Sequence, residues 1–211
     1  MHDKAQDEST RNVLVNMMKT QGVLDVTDMS KQLGITEMAV RRHLNTLERD
    51  GFIQTNIVRR PKGRPRHVYS LTAKAEDWFP NNYKGLALDL LEEVVQALGS
   101  DQLDRLFEGR KEKLFSKYAD RMKGKNLRRK VEQLADIQNK DGYMVEWDKD
   151  ANGNYIFKQY NCPISQVANR YGQACKSELT LFQSLLDANV DHTECLTKGD
   201  SKCVYRIQAK A

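Results

Sequence analysis

The run "DVTDMSKQLGITEMAVRRHLNTLERDG", residues 25–51, restricts the fold more than any other part of this 211-residue chain. Met29 and Leu33 repeat four apart, Gly34 breaks the period, and Val40, Leu44 and Leu47 resume it as far as Gly51. Apolar residues at that spacing line one face of a helix, and such a face must be buried. Thr27 is placed to cap the first helix and Thr36 the second, while Gly34 and Gly51 are natural stops. Upstream, Val13, Leu14, Met17 and Met18 predict a further helix between Ser9 and Thr20. Downstream, "FIQTNIVRR" and "HVYSLT" are β-rich runs separated by "PKGRPR".

Helix, helix, turn, helix and hairpin in that order predict a winged helix-turn-helix over residues 1–80. Charge agrees: between Gly34 and Val68 eight basic residues stand against three acidic ones, a surplus equal to the whole chain's net charge of +5. Duplex DNA carries one phosphate charge per ~1.7 Å, so a basic helix beside a basic wing suits it. Thr36 at the start of the later helix, and Glu37, Met38, Arg41, Arg42 and Asn45 opposite its apolar stripe, are the expected DNA-side residues. Arg41, Arg42 and Asn45 would enter the major groove. There an arginine pairs bidentately with guanine and an asparagine with adenine, each worth roughly 1–3 kcal/mol of discrimination. The wing tip falls at Gly63-Arg64-Pro65, with Arg64 near a minor groove and Arg59, Arg60 and Lys62 on phosphates. Arg66 extends the same basic stretch. A solvated basic face used for protein contacts is the plainer alternative, but caps, stripe, turn and wing all agree on DNA. His43 and His67 read as DNA-side or packing residues.

Residues 81–141 read as a helical connector. Tyr83 to Leu98 carries Leu86, Leu90, Leu91, Val94 and Leu98 in register. Asp101 to Met122 carries Leu103, Leu106, Phe107, Leu114, Phe115 and Tyr118, and Leu127, Val131, Leu134 and Ile137 follow. These stripes need partners. Two-fold protein symmetry matches the two half-sites of a palindromic operator, so part of a homodimer interface is expected here. The alternative is that the stripes pack only on the C-terminal segment of their own chain.

Residues 142–211 predict a small α+β domain, ββααββ in order. "YMVEWDKDANGNYIFKQYN" is a hairpin turning at Asn152-Gly153, two helical runs follow, and a second hairpin turns at Gly199-Asp200. The whole chain is thus expected to be α+β, with a winged helix, a connector and a C-terminal sensor domain.

All four cysteines lie in that last domain, as C-x12-C-x19-C-x7-C from Cys162 through Cys175 and Cys195 to Cys203. Small core thiols are one explanation, most easily for Cys203, which alternates with Tyr205 and Ile207. A shared ligand set is another. Structural zinc leans on closely spaced cysteine pairs, of which there are none, whereas an iron–sulfur cluster accepts thiolates from anywhere in a fold. Cys162 precedes Pro163 at an expected helix N-terminus, a place that favours thiolate. His192 reads as a hairpin surface residue, although it, Glu194 or another oxygen donor would complete a three-cysteine set. The chain holds no C-x-x-C, nucleotide loop or paired-carboxylate motif, so it does not read as an enzyme.

"LGITEMAVRRHLNTLERDGFI" followed by "GRPRHVYSLTAKAEDWFPNNY" resembles the DNA-binding half of the SufR group of bacterial regulators, related to the DeoR and ArsR winged helices. "NCPISQVANRYGQAC" with "TECLTKGDSKCVYRI" is similar to the sensor half of the same group, and Cys162 and Cys175 match best. The ending G-D-x-x-C-x-Y-x-I also resembles vinyl-reductase-type ligand-binding domains, as a hint of fold. The resemblance to SufR implies a repressor of iron–sulfur assembly genes, whose cysteines hold a cluster, 4Fe-4S in type, and whose loaded form binds operator DNA. A winged-helix regulator sensing a small organic ligand, with structural or zinc-bound cysteines, remains the other reading. The polar opening "MHDKAQDEST" and the lack of a long apolar run predict a cytoplasmic protein without a signal peptide or membrane span.

Overall fold

A computed structural model describes residues 2–59 and 65–210, with side chains from Ser9 on. The chain divides into two compact units, Met1–Asn81 and Asn82–Ala211.

In the first unit, helices α1 (His2–Gln21), α2 (Val26–Leu33) and α3 (Glu37–Arg49) meet a three-stranded antiparallel sheet. Strands β1 (Leu24–Asp25), β2 (Ile53–Val58) and β3 (Arg66–Leu71) run in the order β1-β3-β2, with Leu24 opposite Tyr69 and Ile53 opposite Leu71. Leu14, Met18, Met29, Val40, Leu44, Leu47 and Ile53 form the core. The expected stripes are therefore buried with one exception: Val13 turns outward and Val15 takes its place. Two local features differ from expectation. The two-residue strand β1 was not legible, and Asp25 rather than Thr27 caps α2, accepting from the amide of Asp28 at 2.9 Å. Thr27 instead donates to Glu37 Oε1 at 2.7 Å. Gly34 ends α2 at φ 66°, in the left-handed region where a Cβ is costly, so the turn into α3 needs it. The exit strap is pinned back: Trp78 Nε1 donates to Asn12 at 3.0 Å, and its ring meets Phe52 edge-on.

The second unit holds α4 (Tyr83–Leu98), α5 (Ser100–Tyr118), α6 (Leu127–Lys140), α7 (Ser165–Arg170) and α8 (Gln173–Leu186). Its antiparallel sheet has the order β4-β5-β7-β6, from β4 (Val145–Lys149), β5 (Tyr155–Gln159), β6 (Ala188–Glu194) and β7 (Cys203–Ala209). The main core joins Val131, Leu134 and Ile137 of α6 to Phe157, Phe182, Leu186, Tyr205 and Ile207. Residues 82–141 and 142–211 thus share one core. A smaller cluster joins Leu103 and Phe107 of α5 to Ala168, Tyr171 and Ala174, and Ser177 closes it by donating to the Phe107 carbonyl at 3.1 Å. Helix α4 buries no residue completely: Leu88, Leu91 and Val95 lean on that cluster, while Tyr83, Leu86, Leu90 and Leu98 face outward. Among the described residues no helix is long and apolar enough to cross a membrane.

Candidate functional site

The exposed face of α3 is prepared by its first turn. Thr36 accepts from the amide of Ala39 at 3.2 Å, which fixes where the helix starts. Glu37, Met38, Arg41, Arg42 and Asn45 then project from the face opposite Val40, Leu44 and Leu47, and Met38 is 82% exposed. Arg41 pairs with Glu37 at 3.5 Å, and both groups are half-exposed. Such a surface pair contributes only about 0–1 kcal/mol, so the guanidinium can exchange it for a phosphate or base at little cost. His43 is buried on the core side and packs there, whereas His67 is exposed on β3.

On the hairpin, Arg59 is exposed. Arg66 is committed locally: its guanidinium pairs with the buried carboxylate of Asp25, the residue that also caps α2. Arg60, Lys62 and Arg64 lie outside the described residues.

The four thiols come from four places in the second unit. Cys162 precedes the Pro163 turn, Cys175 is in the first turn of α8, Cys195 follows β6, and Cys203 opens β7. A 3-10 turn at Leu196–Lys198 gathers three of them, Cys175, Cys195 and Cys203. Thr197 Oγ1 lies 3.1 Å from the sulfur of Cys195 and 3.9 Å from that of Cys175, and the amide of Leu196 donates to Cys203 Sγ at 3.4 Å. Asp200 holds the turn by accepting from the amide of Cys195 at 2.7 Å.

The thiols are electrostatically unequal. Burial pushes Cys175 up to about 11 and Cys203 up to about 12, and the charge of Cys195 adds to both shifts. Burial acts on Cys195 in the same sense, but hydrogen bonds from Thr197, Cys203 and Cys175 outweigh it and lower its pKa. Burial also raises Cys162, with the charges of Glu178 and Cys195 contributing. The favoured thiolate is therefore Cys195; at Cys162, where a helix terminus was expected to favour thiolate, burial outweighs the hydrogen bond from the Ile164 amide.

His192 differs most from its sequence reading. It is half-buried and stacks on Tyr205, with ring centroids 4.3 Å apart. One of its ring nitrogens and the sulfurs of Cys195 and Cys203 lie within 4.8 Å of one another. Burial, with the charge of Lys198, lowers its pKa and keeps the ring neutral, the form that binds metals.

Glu178, which sequence reasoning missed, lies beneath the thiols. Tyr205 donates to it at 2.8 Å, and burial raises its pKa against the opposing hydrogen bonds of Tyr205 and Tyr143. Its signal was spacing, one turn on from Cys175 beside the buried Ser177 and Leu181. Sulfur and imidazole donors suit zinc, iron or an iron–sulfur cluster and not the oxygen-seeking cations, so the residues fit the expected class of group.

Residues 8–55 match the family model described as bacterial regulatory protein, arsR family. Similar solved structures include the reduced form of the transcriptional regulator YodB from B. subtilis, at 15% identity over 40% of this chain and 78% of that one, with a TM-score of 0.27. Lactococcus lactis ZitR shares 20% identity over 56% of this chain and 82% of its own, with a TM-score of 0.29. Bacillus subtilis PadR in complex with operator DNA shares 14% over 84% and 97%, also with a TM-score of 0.29. No curated protein matches the chain. The N-terminal unit is thus a winged helix-turn-helix similar to those of the arsR family of bacterial regulatory proteins.

Proposed function

We propose that this chain is a transcriptional regulator that binds double-stranded, palindromic operator DNA as a cytoplasmic homodimer, and that an iron–sulfur cluster held by Cys162, Cys175, Cys195 and Cys203 controls that binding. The observation that carries the reading is the convergence of three of the thiols. The sulfurs of Cys175, Cys195 and Cys203 gather at the Leu196–Lys198 turn, although they come from three separate parts of the unit. A bound cluster would supply a redox- and iron-sensitive cross-link. The chain's part is to order β6, β7, the N-terminus of α8 and the Pro163 turn around it. By linkage, any difference in operator affinity between loaded and empty forms appears equally as a difference in cluster affinity. The resemblance to SufR-type proteins extends the proposal to repression of cluster-assembly genes by the 4Fe-4S form, with no catalytic activity.

The test is anaerobic reconstitution with iron and sulfide, followed by absorption spectroscopy, metal and sulfide assays, and operator binding by loaded and empty protein. Matching iron and sulfide, lost on Cys175→Ser or Cys203→Ser, with a change in operator affinity, is the expected result. A colourless, metal-free protein that binds DNA identically after reconstitution would reject it.

One observation favours a second reading, a single zinc ion. Tetrahedral zinc with bonds of about 2.3 Å separates its thiolate ligands by roughly 3.8 Å, and the trio of His192, Cys195 and Cys203 already lies within 4.8 Å. Stoichiometric zinc without sulfide would select it. Sensing of an organic ligand has less support. The cavity bounded by Arg110, Tyr143, Pro163 and Glu178 holds about 190 Å³, less than the roughly 300 Å³ at which ligand pockets begin, and the larger cavities of the unit, about 300, 410 and 460 Å³, have no cysteine in their lining.

A further inference from the structure

Among the described residues, one buried side-chain nitrogen or oxygen has no hydrogen-bond partner, Nε2 of His192. An unsatisfied buried polar atom costs about 1–3 kcal/mol, so its persistence calls for a partner of another kind. The ring is held in place by Tyr205. His192 pairs with Tyr205 across β6 and β7, and its imidazole lies on the Tyr205 ring with the planes 11° apart. The register then slips between His192 and Glu194. Such bulges re-aim side chains next to functional sites. What the ring is held against is the pair of sulfurs, Cys195 and Cys203.

We propose that His192 is a metal ligand through Nε2, so that the centre has a mixed nitrogen–thiolate donor set. This rests on the reading that the cysteines hold a metal group, and it replaces one of that reading's four thiolate ligands by the imidazole. The consequence is chemical. A neutral imidazole in place of an anionic thiolate leaves the bound group less negative, and in iron–sulfur centres that substitution raises the reduction potential. It also makes loading sensitive to anything that displaces one neutral donor while the thiolates stay in place.

The test is X-ray absorption at the metal edge of the full chain, prepared anaerobically once with iron and sulfide and once with zinc alone. Outer-shell scattering from a coordinated imidazole is expected in the wild type. It should vanish in His192→Cys, with metal content retained and, for the iron form, a lower reduction potential. In His192→Ala metal should be lost to a chelator at least tenfold faster. Metal bound by sulfur alone in the wild type would overturn the ligand assignment and leave the metal reading intact. Failure of the wild type to take up either metal would overturn both. The wild-type spectrum decides the first question even if a variant misfolds.

Discussion

Tyr205 donates its hydroxyl to Glu178 Oε2 across 2.8 Å, and this bond ties β7 to α8 directly beneath the cysteines. Burial raises the folded-state pKa of Glu178 above its ordinary 4.5, so the folded unit prefers a protonated carboxyl. Stability of the metal-free protein should be full below that ordinary value and fall as pH rises through the raised one. Glu178→Gln removes the titration, so its chemical-denaturation midpoint should be flatter with pH than the wild type's and higher at neutral pH. Tyr205→Phe keeps the ring under His192 but deletes the donor, at a cost of about 1–3 kcal/mol. Equal pH profiles for wild type and Glu178→Gln would show that the carboxyl is better solvated than its surroundings imply.

Asp25 does two jobs, as cap of α2 and partner of Arg66. Asp25→Ala loses both. The cap alone is worth roughly 1 kcal/mol, and an uncompensated Arg66 adds to the loss, so thermal unfolding should show a drop of about 1–3 kcal/mol. Asp25→Asn retains an oxygen for the Asp28 amide and should lose less. A variant pair with equal stabilities would mean that the ion pair carries the whole effect and the cap none.

The N-terminal unit was legible because each of its signals is local. The Thr36 cap, the Gly34 turn and the stripe of Val40, Leu44 and Leu47 follow from spacing, and the boundaries Tyr83–Leu98 of α4 came out unchanged for the same reason. Strand β1 was not legible, since two residues carry no period and are specified by pairing with Val68 and Tyr69 more than forty positions on. At the thiols, the clustering of the four cysteines was visible in the sequence. The inequality among them was not, because it arises from Thr197 and from burial by residues distant in sequence. His192 was misread, yet there the two-residue period did carry the signal, because Ala188 and Val190 are buried and His192 follows them on the same face of β6, where it stacks on Tyr205.

DNA contacts on α3 and on the hairpin should separate by their salt response. Arg41→Ala, Arg42→Ala or Asn45→Ala should each cost about 1–3 kcal/mol on the cognate operator and much less on random duplex. Arg59→Ala should weaken both alike and reduce the slope of log affinity against log salt by about 1 per protomer. Fluorescence anisotropy on both duplexes over a range of salt measures this. If Arg41→Ala and Arg59→Ala behave identically, α3 is not the reading element.

The outward face of α4 offers the last prediction. Leu86, Leu90 and Leu98 are 53%, 58% and 65% exposed, one or two turns apart along one side, and Tyr83 extends the row. In the proposed homodimer a two-fold partner would cover this row with its own copy. Burying a leucine fully is worth about 1.5–3 kcal/mol, and roughly 1.4 kcal/mol changes an association constant tenfold. Leu90→Glu, present twice in a symmetric interface, should therefore weaken dimerisation by at least about a hundredfold, measured by sedimentation at micromolar concentration. The fold should survive, because Leu90 makes little contact within its own unit. Operator affinity should fall with dimerisation, since each half-site then binds independently. A Leu90→Glu protein that still sediments as a dimer would place the interface on another surface.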